Sequence, residues 1–438
     1  MQPLFSREGV RALVRPRTVS ERNVRAVLID GIGVGIATGV GSFLSVFLVR
    51  LGASSLLVGL LTSLPALTGA LLAAPIGRFL ERQPTVVPWY SGMRVWVLWS
   101  YALFGLLPFV VPLPAVPWVV IAIWALVTVP STFVNVAFTV VMGGVAGPQH
   151  RFAVMSLRWS SLGAVTALTV AIVGQLLDRG PFPLNYQLVF MGSFVGGLLS
   201  YLYSRSIVLP PKPSPAKPEP ATSRRLLMLP RLSHVVSGLR EAPPAFLRFA
   251  GSAFIFRGGV AMTIPLLPLY WVREVGASDA WIGIITTAGS AVLLVAYFLW
   301  SLAVRRIGVG GVLLASSFGM ALYPFAVVTT HSVWLLMIYA GLVGLFAAGN
   351  DLVNFDLLLT TIPADRQAAY VGLFQTLQNA AMFVMPLAGT LLAEIMGVPL
   401  ALVAAGTVRL AGALLYLALG VGRAPAKATP AEPARSDS

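Results

Sequence analysis

The residues with the clearest chemical potential in this sequence are a few charged and amide side chains that lie inside long apolar segments. Asn350, Asp351 and Asn354 fall within the apolar segment 333–359 at i, i+3 and i, i+4 spacings, so one face of a helix would carry all three. Arg257 lies about midway along the segment 245–272. Because a charge in hydrocarbon costs several kcal/mol, such residues usually face a cavity or a partner. We expect these four residues to line a solute pathway, and for Arg257 a structural pair between helices is the alternative.

Two further positions extend this set. Asn135 occupies the place in the first half of the chain that corresponds to Asn350, and we expect it on the same pathway. Asp30 lies near a helix end and is either a protonation site or the partner of a nearby arginine, which we favour. Asp351 is the other candidate for protonation, although a pair with the equally deep Arg409 is a structural alternative. Proton coupling is a hypothesis that depends on these two acids.

Other charged residues of the predicted spans are explained without a role in transport. Arg94 and Arg158 lie close to predicted cytoplasmic helix ends, where their long side chains can extend to the membrane surface. Glu394 lies near the predicted outer end of its segment and is expected at a helix interface. Asp356 points away from the polar face and lies nearer the inner surface, as a structural or interfacial residue.

Several classes of function are disfavoured by what the sequence lacks. Cysteine is absent, and the three histidines lie far apart, so a metal site is not expected. No Walker motif and no catalytic grouping of acids, histidine or serine is present, so we predict neither an enzyme nor a bound cofactor. The run Gly31 to Gly35 lies inside an apolar segment, where small residues allow close helix packing.

Composition and hydropathy identify the elements that must position these residues. The 438 residues are 57% hydrophobic and only 10% charged, with a mean hydropathy of +0.85. A membrane-spanning helix needs about 20 mostly apolar residues. The sequence therefore predicts an all-α integral membrane protein with twelve spans, near 27–49, 55–80, 89–111, 116–142, 152–177, 184–206, 245–272, 279–304, 309–330, 333–359, 368–394 and 398–421.

The positive charges predict the orientation of these spans. With the N-terminus inside, 23 of the 30 Lys and Arg residues fall on the cytoplasmic side, three fall outside and four fall within spans. This bias follows the positive-inside rule. It predicts a multi-pass protein of the cell inner membrane with both termini cytoplasmic, and it explains the net charge of +15 without nucleic acid as a partner.

The chain divides into two halves around a polar centre. We predict a cytoplasmic segment 1–26, a six-helix bundle 27–206, a cytoplasmic linker 207–244, a second six-helix bundle 245–421 and a disordered tail 422–438. The linker contains a stretch rich in proline and lysine, which is typical of a semi-rigid spacer. Leu232, Val235, Val236 and Leu239 follow a helical spacing, which indicates either a short surface helix or a disordered linker.

The two halves resemble each other in sequence. Gly52-Ala53-Ser54 recurs as Gly276-Ala277-Ser278, and Gly59 recurs as Gly283 at the same offset along the chain. A second block, in which Asn135 aligns with Asn350, repeats at a slightly shorter offset. Two pseudo-symmetric bundles of this kind can rock about a central cleft that opens to one side at a time.

At this point the chain resembles the major facilitator superfamily, over nearly its whole length in topology but only in short motifs. The loop Gly77-Arg78-Phe79-Leu80-Glu81-Arg82 resembles the family's loop of Gly, three residues, an acid and a base. The second copy keeps the bases Arg305 and Arg306 but lacks the acid. The resemblance implies that Gly77, Glu81, Arg82, Arg305 and Arg306 latch the cytoplasmic side when the protein faces outward. A short basic inner loop is the simpler alternative.

The predicted function is secondary active transport of a small solute by alternating access, with the direction undecided. Helix 4 lacks the arginine that proton-coupled drug exporters of this family usually carry, which weakens a drug/proton antiport assignment. The alternatives are a lipid-translocating protein of the same fold and a non-transporting receptor or sensor. We expect a monomer whose partners are a small-molecule substrate, membrane lipid and protons.

Overall fold

The apolar segments of the chain form long helices in a computed structural model that describes residues 16–209, 239–363 and 366–422, with no strand in these ranges. We number the helices by membrane span. The helices are α1 (Val19–Gly41 continued by Leu44–Arg50), α2 (Ser55–Glu81), α3 (Val87–Val110), α4 (Leu113–Val145), α5 (Val154–Leu177), α6 (Leu184–Ser204), α7 (Pro244–Leu269 with a π-turn Tyr270–Glu274), α8 (279–307), α9 (309–328), α10 (Val333–Thr361), α11 (Gln367–Met396) and α12 (Val398–Ala418).

The predicted count of twelve spans is confirmed when one long helix is divided at its break and one less apolar helix is included. Ten helices of the described ranges are long and apolar enough to cross a membrane. One of them, Asp279–Val328, breaks at Gly308, whose φ of 72° is in the left-handed region and interrupts the helix. The more polar α6 has 21 residues, which at 1.5 Å per residue also covers the roughly 30 Å of a bilayer core.

The first helix begins earlier than predicted. It starts at Val19 rather than at residue 27, because Thr18 and Glu21 form a capping box. The Glu21 backbone N–H donates to Thr18 Oγ1 at 3.2 Å, and the Thr18 N–H donates to Glu21 Oε2 at 3.3 Å. The predicted surface helix at 232–239, apart from Leu239, lies outside the described residues, as do segment 1–15 and the tail beyond 422.

The two halves pack against each other through two equivalent helix pairs, α2 with α11 and α5 with α8. At the second crossing, a Cβ built on Gly174 would lie 2.7 Å from the carbonyl oxygen of Asp279 and 3.2 Å from the Cα of Gly283. At the first crossing, a Cβ on Gly59 would overlap the side chain of Thr390. Small residues therefore allow the close approach of helices in both pairs. Because Gly59 and Gly283 are repeat counterparts, the sequence repeat reappears as a structural pseudo-symmetry.

Candidate functional site

The first half contains a buried cluster of charges around Asp30 of α1. Arg94 of α3 donates to both oxygens of Asp30 at 3.2 and 3.3 Å, and Arg158 of α5 donates to Oδ2 at 3.2 Å. The hydroxyls of Tyr90 and Ser200 donate to the same carboxylate at 3.1 and 2.6 Å. Asp30 is 0% exposed. Both of its oxygens are therefore occupied, and the cluster ties α1, α3, α5 and α6 together.

This cluster bears on the two hypotheses for Asp30. The pair with a nearby arginine is present, with both Arg94 and Arg158 as partners, whereas a role of Asp30 in protonation stays a prediction. The prediction that Arg94 and Arg158 extend to the membrane surface is wrong, because both side chains are buried and point inward to Asp30. A carboxylate that lies next to a guanidinium forms strong charge-assisted hydrogen bonds with it. The two arginine side chains therefore turn toward Asp30 rather than toward the membrane surface.

The second half contains an open ion pair near the middle of α7. Arg257 Nη2 lies 3.1 Å from Asp351 Oδ1 of α10, and the two side chains are 36% and 43% exposed. The hydroxyl of Tyr297, from α8, lies 3.4 Å from Asp351 Oδ2. The sequence predicted Arg257 and Asp351 as site residues, but gave no signal for Tyr297.

The neighbour Ile264 on α7 indicates the direction in which the open pair is exposed. Ile264 is seven residues after Arg257, which places both side chains on the same face of α7. Ile264 lines a cavity of about 220 Å³ together with residues of α1, α2, α3 and α4. The lining includes Ser45, Thr62, Tyr101 and Trp124 of the first half. Because this face of α7 is directed at the other half, we infer that the exposure of Arg257 is to the central space rather than to lipid.

The polar face predicted on α10 is divided by the structure. Asn350 and Asn354 are 1% and 6% exposed and turn toward α9, whereas Asp351 is open. Asn350 Nδ2 donates to Ser317 Oγ at 3.0 Å, and Asn354 Nδ2 donates to Asn350 Oδ1 at 2.7 Å. The two amides are linked to each other inside the bundle, where Asn354 Oδ1 is buried without a hydrogen-bond partner. In this structure they do not line an open pathway.

Arg409 is the other deep arginine of the second half, and it does not pair with Asp351. It is 4% exposed, and its Nη1 donates to the carbonyl oxygen of Met320 in α9 at 3.0 Å. Its stem lies against Gly259, where a Cβ would come within 2.7 Å of Arg409 Cγ. The structure therefore places Arg409 behind α7, on the side away from the exposed face of Arg257.

Asn135 is exposed on α4, as a pathway residue should be. Between Trp124 and Asn135 the helix makes close to three full turns, so the two side chains point in nearly the same direction. Trp124 lines the central cavity and donates to the carbonyl oxygen of Leu61 at 3.0 Å. The pathway role of Asn135 remains a prediction that this geometry supports.

At one end of the molecule the two halves are joined by a pair of matching contacts, which we call the outer clasp. This end is named outer, and the opposite end cytoplasmic, after the predicted orientation. Arg50 of the first half donates to Asp279 Oδ1 at 2.8 Å and to the carbonyl oxygen of Ala277 at 2.9 Å. Arg273 of the second half donates to Ser55 Oγ at 3.1 Å and to the carbonyl oxygen of Ala53.

The two contacts are pseudo-symmetric. The offset from Ala53 to Ala277, and likewise from Ser55 to Asp279, is the offset of the first sequence repeat. Each half therefore extends an arginine onto the Gly-Ala-Ser loop of the other half. The repeat was found in the sequence, but its pairing with Arg50 and Arg273 was not.

Two acids complete the outer clasp by accepting from the first turn of a helix in the opposite half. Asp178, at the end of α5, accepts from the Asp279 N–H at 2.9 Å, and Glu394 of α11 accepts from the Leu56 N–H at 3.1 Å. A carboxylate is favourable at a helix N-terminus because it meets unsatisfied N–H groups and the positive end of the helix dipole. The structure places Glu394 at an interface, where the sequence analysis expected it, whereas Asp178 was missed.

The cytoplasmic end lacks such connections in the described residues. Apart from a mid-membrane bond from Thr287 Oγ1 to the Ala167 carbonyl oxygen, the hydrogen bonds between described residues of the two halves all belong to the outer end. The central space is therefore closed on the outer side.

The residues of the proposed cytoplasmic latch are separated in this state. The side chains of Glu81, Arg82, Arg305 and Arg306 are exposed, and Gly77 is half-buried beside Val136. Among the described ranges, these four charged side chains make no ion pair. The latch role of these residues remains a prediction.

A second, larger cavity lies away from the central space. It encloses about 1010 Å³ at the cytoplasmic end of the second half, between the starts of α7 and α9 and the ends of α10 and α12. Asp356 and Arg248 are among its lining residues, and all of its lining residues belong to the second half. Asp356 thus lies at the end named cytoplasmic and apart from the open pair.

Comparisons with known proteins identify this architecture. Residues 249–437 match the family model of the Major Facilitator Superfamily. The chain has the major facilitator superfamily fold. A search of curated proteins gives no match.

Solved transporter structures align with nearly the whole chain. The nucleoside transporter NupG has 12% identity and a TM-score of 0.67, with 92% of this chain and 99% of that chain covered. A bacterial homologue of the iron transporter ferroportin in an inward-facing state has 16% identity and a TM-score of 0.67, covering 91% and 98%. The xylose transporter XylE from E. coli, inward open, has 12% identity and a TM-score of 0.63, covering 91% and 95%. At these identities the likeness establishes the fold and not the solute.

Proposed function

We propose that this major facilitator protein is a secondary transporter that carries a small solute by alternating access, and that the open pair Arg257–Asp351 is part of its solute site. The observation that carries the proposal is the combination of a clasped outer end with an accessible ion pair in the central space behind it. A site with access from one side at a time is the requirement of alternating access.

The two ends of the molecule would exchange roles during the cycle. In the state described above, the outer clasp holds α2 against α11 and α5 against α8 at the outer end. Opening that end requires Arg50 and Arg273 to leave the opposite loops. We expect Glu81 and its neighbours to connect the halves at the cytoplasmic end in the alternative state, as the family resemblance implies.

The predicted placement of the chain in the membrane belongs to the same proposal. We infer a protein of the cell inner membrane that works as a monomer, with bundles 27–206 and 245–421 joined by the cytoplasmic linker 207–244.

The test measures the two ends of the molecule without knowledge of the solute. Because the chain has no cysteine, pairs of introduced cysteines can be spin-labelled without a background signal. Leu113→Cys with Ser332→Cys reports the outer end, and Thr85→Cys with Ile307→Cys reports the cytoplasmic end. All four positions are exposed or lie in loops. Distances are measured by double electron–electron resonance in nanodiscs.

We expect two distance populations at each end, with opposite responses. Disrupting the outer clasp by Arg50→Gln and Arg273→Gln should lengthen the outer distance and shorten the cytoplasmic one. Single, unchanging distances at both ends would contradict alternating access. Lengthening at the outer end without a cytoplasmic response would also contradict it, because the two motions would then be independent.

A further inference from the structure

The charges near the middle of the described helices divide into those that a solute can reach and those that it cannot. Asp30, Arg94, Arg158 and Arg409 are each at most 5% exposed. Within the described ranges, Arg257 and Asp351 are the accessible acid and base at this depth. The open pair therefore consists of one positive and one negative charge and is neutral.

The two members of the open pair differ in what they can give up. A carboxylate can accept a proton and become neutral, whereas a guanidinium keeps its proton in proteins. A charge left without compensation in a low-dielectric environment is expensive. The site can therefore balance a bound anion by protonating Asp351, but it has no equivalent way to balance a bound cation.

We propose that the site binds an organic monoanion on Arg257 together with one proton on Asp351, and that the two cross the membrane as an electroneutral unit. This inference rests on the proposed function and names its substrate class and coupling. In the binding step, a proton from water adds to Asp351, the ion pair with Arg257 breaks, and the guanidinium pairs with the anion. The net charge of the site is zero before and after loading.

The surroundings of Asp351 favour this exchange. The charged and titratable groups that face it are Arg257 from α7 and Tyr297 from α8. Helix α9, which also packs beside α10, contributes only the phenol of Tyr323 as a titratable group, and that phenol lies by Arg409. After protonation, the Asp351 hydroxyl keeps Tyr297 within hydrogen-bond reach, so the neutral acid does not lose every partner.

The cavity above the pair indicates the rest of the solute. Ile264 lies about 10 Å beyond Arg257 along α7, by seven residues at 1.5 Å each. The cavity that it lines, about 220 Å³, contains hydroxyl, aliphatic and aromatic side chains and no charged group. An anion with a small apolar or aromatic body would place its charge on Arg257 and its body in this cavity.

The first experiment measures binding to the purified full-length protein. The probes are arene- and alkanesulfonates of increasing size, which stay anionic at all working pH values, each matched with the sulfonamide and the trimethylammonium compound of the same skeleton. We expect the sulfonates to bind best. Their Kd should rise about tenfold per pH unit above the range in which Asp351 becomes protonated, because one proton is bound with each anion.

Variants separate the two roles. Asp351→Asn should bind the sulfonate with a Kd that no longer changes with pH, and Arg257→Ala should raise the Kd by about tenfold or more. The matched controls are Asp356→Asn on α10 and Arg248→Ala on α7, which should retain the wild-type pH dependence. Stronger binding of the ammonium compounds, or binding by no sulfonate, would overturn the proposal.

The second experiment measures the driving force in proteoliposomes with the best-binding sulfonate. We expect an imposed pH gradient to drive its accumulation, and a potassium/valinomycin potential to change the initial rate by less than about twofold. Accumulation driven by the potential would overturn electroneutral coupling while leaving the proposed transport function intact. Failure of the transport function itself would appear separately, as label distances that do not change in opposite directions.

Discussion

The two halves of this protein use the same residue types inside the membrane in opposite ways. In the first half, Asp30 is fully buried and accepts from two arginines, a tyrosine and a serine. In the second half, Asp351 is 43% exposed and has one arginine and one tyrosine as neighbours. Saturation and burial fix the first carboxylate in place, whereas the second retains unfilled hydrogen-bonding capacity that a solute or a proton can use.

The largest effect should follow from removing the buried carboxylate. Asp30→Asn keeps the volume but leaves Arg94 and Arg158 buried without a counter-charge. We expect a loss of roughly 3–5 kcal/mol of stability, the magnitude typical of a broken buried pair, measured by unfolding in detergent. The control Ser200→Ala removes one hydrogen bond to the same carboxylate and should lose about 1 kcal/mol. A stable Asp30→Asn protein would show that the first cluster is not structural.

Breaking the outer clasp should have the next largest effect, on conformation rather than on folding. Hydrogen bonds of charged groups contribute roughly 1.5–3 kcal/mol when well sheltered, and Arg50 is 27% exposed. Arg50→Gln with Arg273→Gln should therefore shift the open-to-closed ratio of the outer label pair by about tenfold. Arg179→Gln, at the same end but exposed, is the control and should not shift it.

A smaller loss is expected from the amide pair on α10. Asn350→Ala removes the bond to Ser317 and the side-chain acceptor of Asn354 Nδ2, which keeps its bond to the main-chain carbonyl oxygen of residue 350. The loss should be about 1 kcal/mol in unfolding experiments. Sulfonate binding should stay within about twofold of the wild type. A large change in binding with normal stability would place Asn350 on the pathway after all.

The smallest stability change should follow from the open pair itself, and this sharpens the contrast between the halves. Arg257→Ala breaks an ion pair with both members more than a third exposed, so we expect less than about 1 kcal/mol. Arg248→Ala gives the background for loss of an exposed arginine on the same helix. If Arg257→Ala were as damaging as Asp30→Asn, the two clusters would both be structural and the site assignment would fail.

The fold could be predicted from the sequence largely because the hydropathy of a membrane span is a property of each segment alone. The spans and the interruption near Gly308 follow from the hydropathy and glycine content of single segments. The repeat around Gly52 and Gly276 is likewise visible from the sequence alone. Contacts between distant segments were harder to predict. Asp279 meets Asp178 and Tyr186 across 101 and 93 residues, and no local pattern connects these three positions.

The rotation of each helix about its own axis could also not be predicted from the sequence. The spacing of Asn350, Asp351 and Asn354 indicates that they share a broad face, but the direction of that face depends on the neighbours of α10. In the structure the face straddles a boundary, so that two residues turn to Ser317 and one turns to Arg257. Depth along the helices favoured a pair between Asp30 and a nearby arginine, but it did not indicate that Arg94 and Arg158 both turn inward to this carboxylate.

The acceptors of the outer clasp have a consequence for how this protein can vary. Each of the two arginines donates to a main-chain carbonyl oxygen, that of Ala277 or that of Ala53. The identity of either alanine side chain is therefore of little importance to the outer clasp. What must be preserved is the course of the two turns, each of which passes through a glycine with positive φ, at 80° and 65°. A larger residue at Gly52 or Gly276 would change the backbone conformation of the turn and move the carbonyl oxygen away from its arginine. The outer clasp would then be weakened although every charged residue was still present.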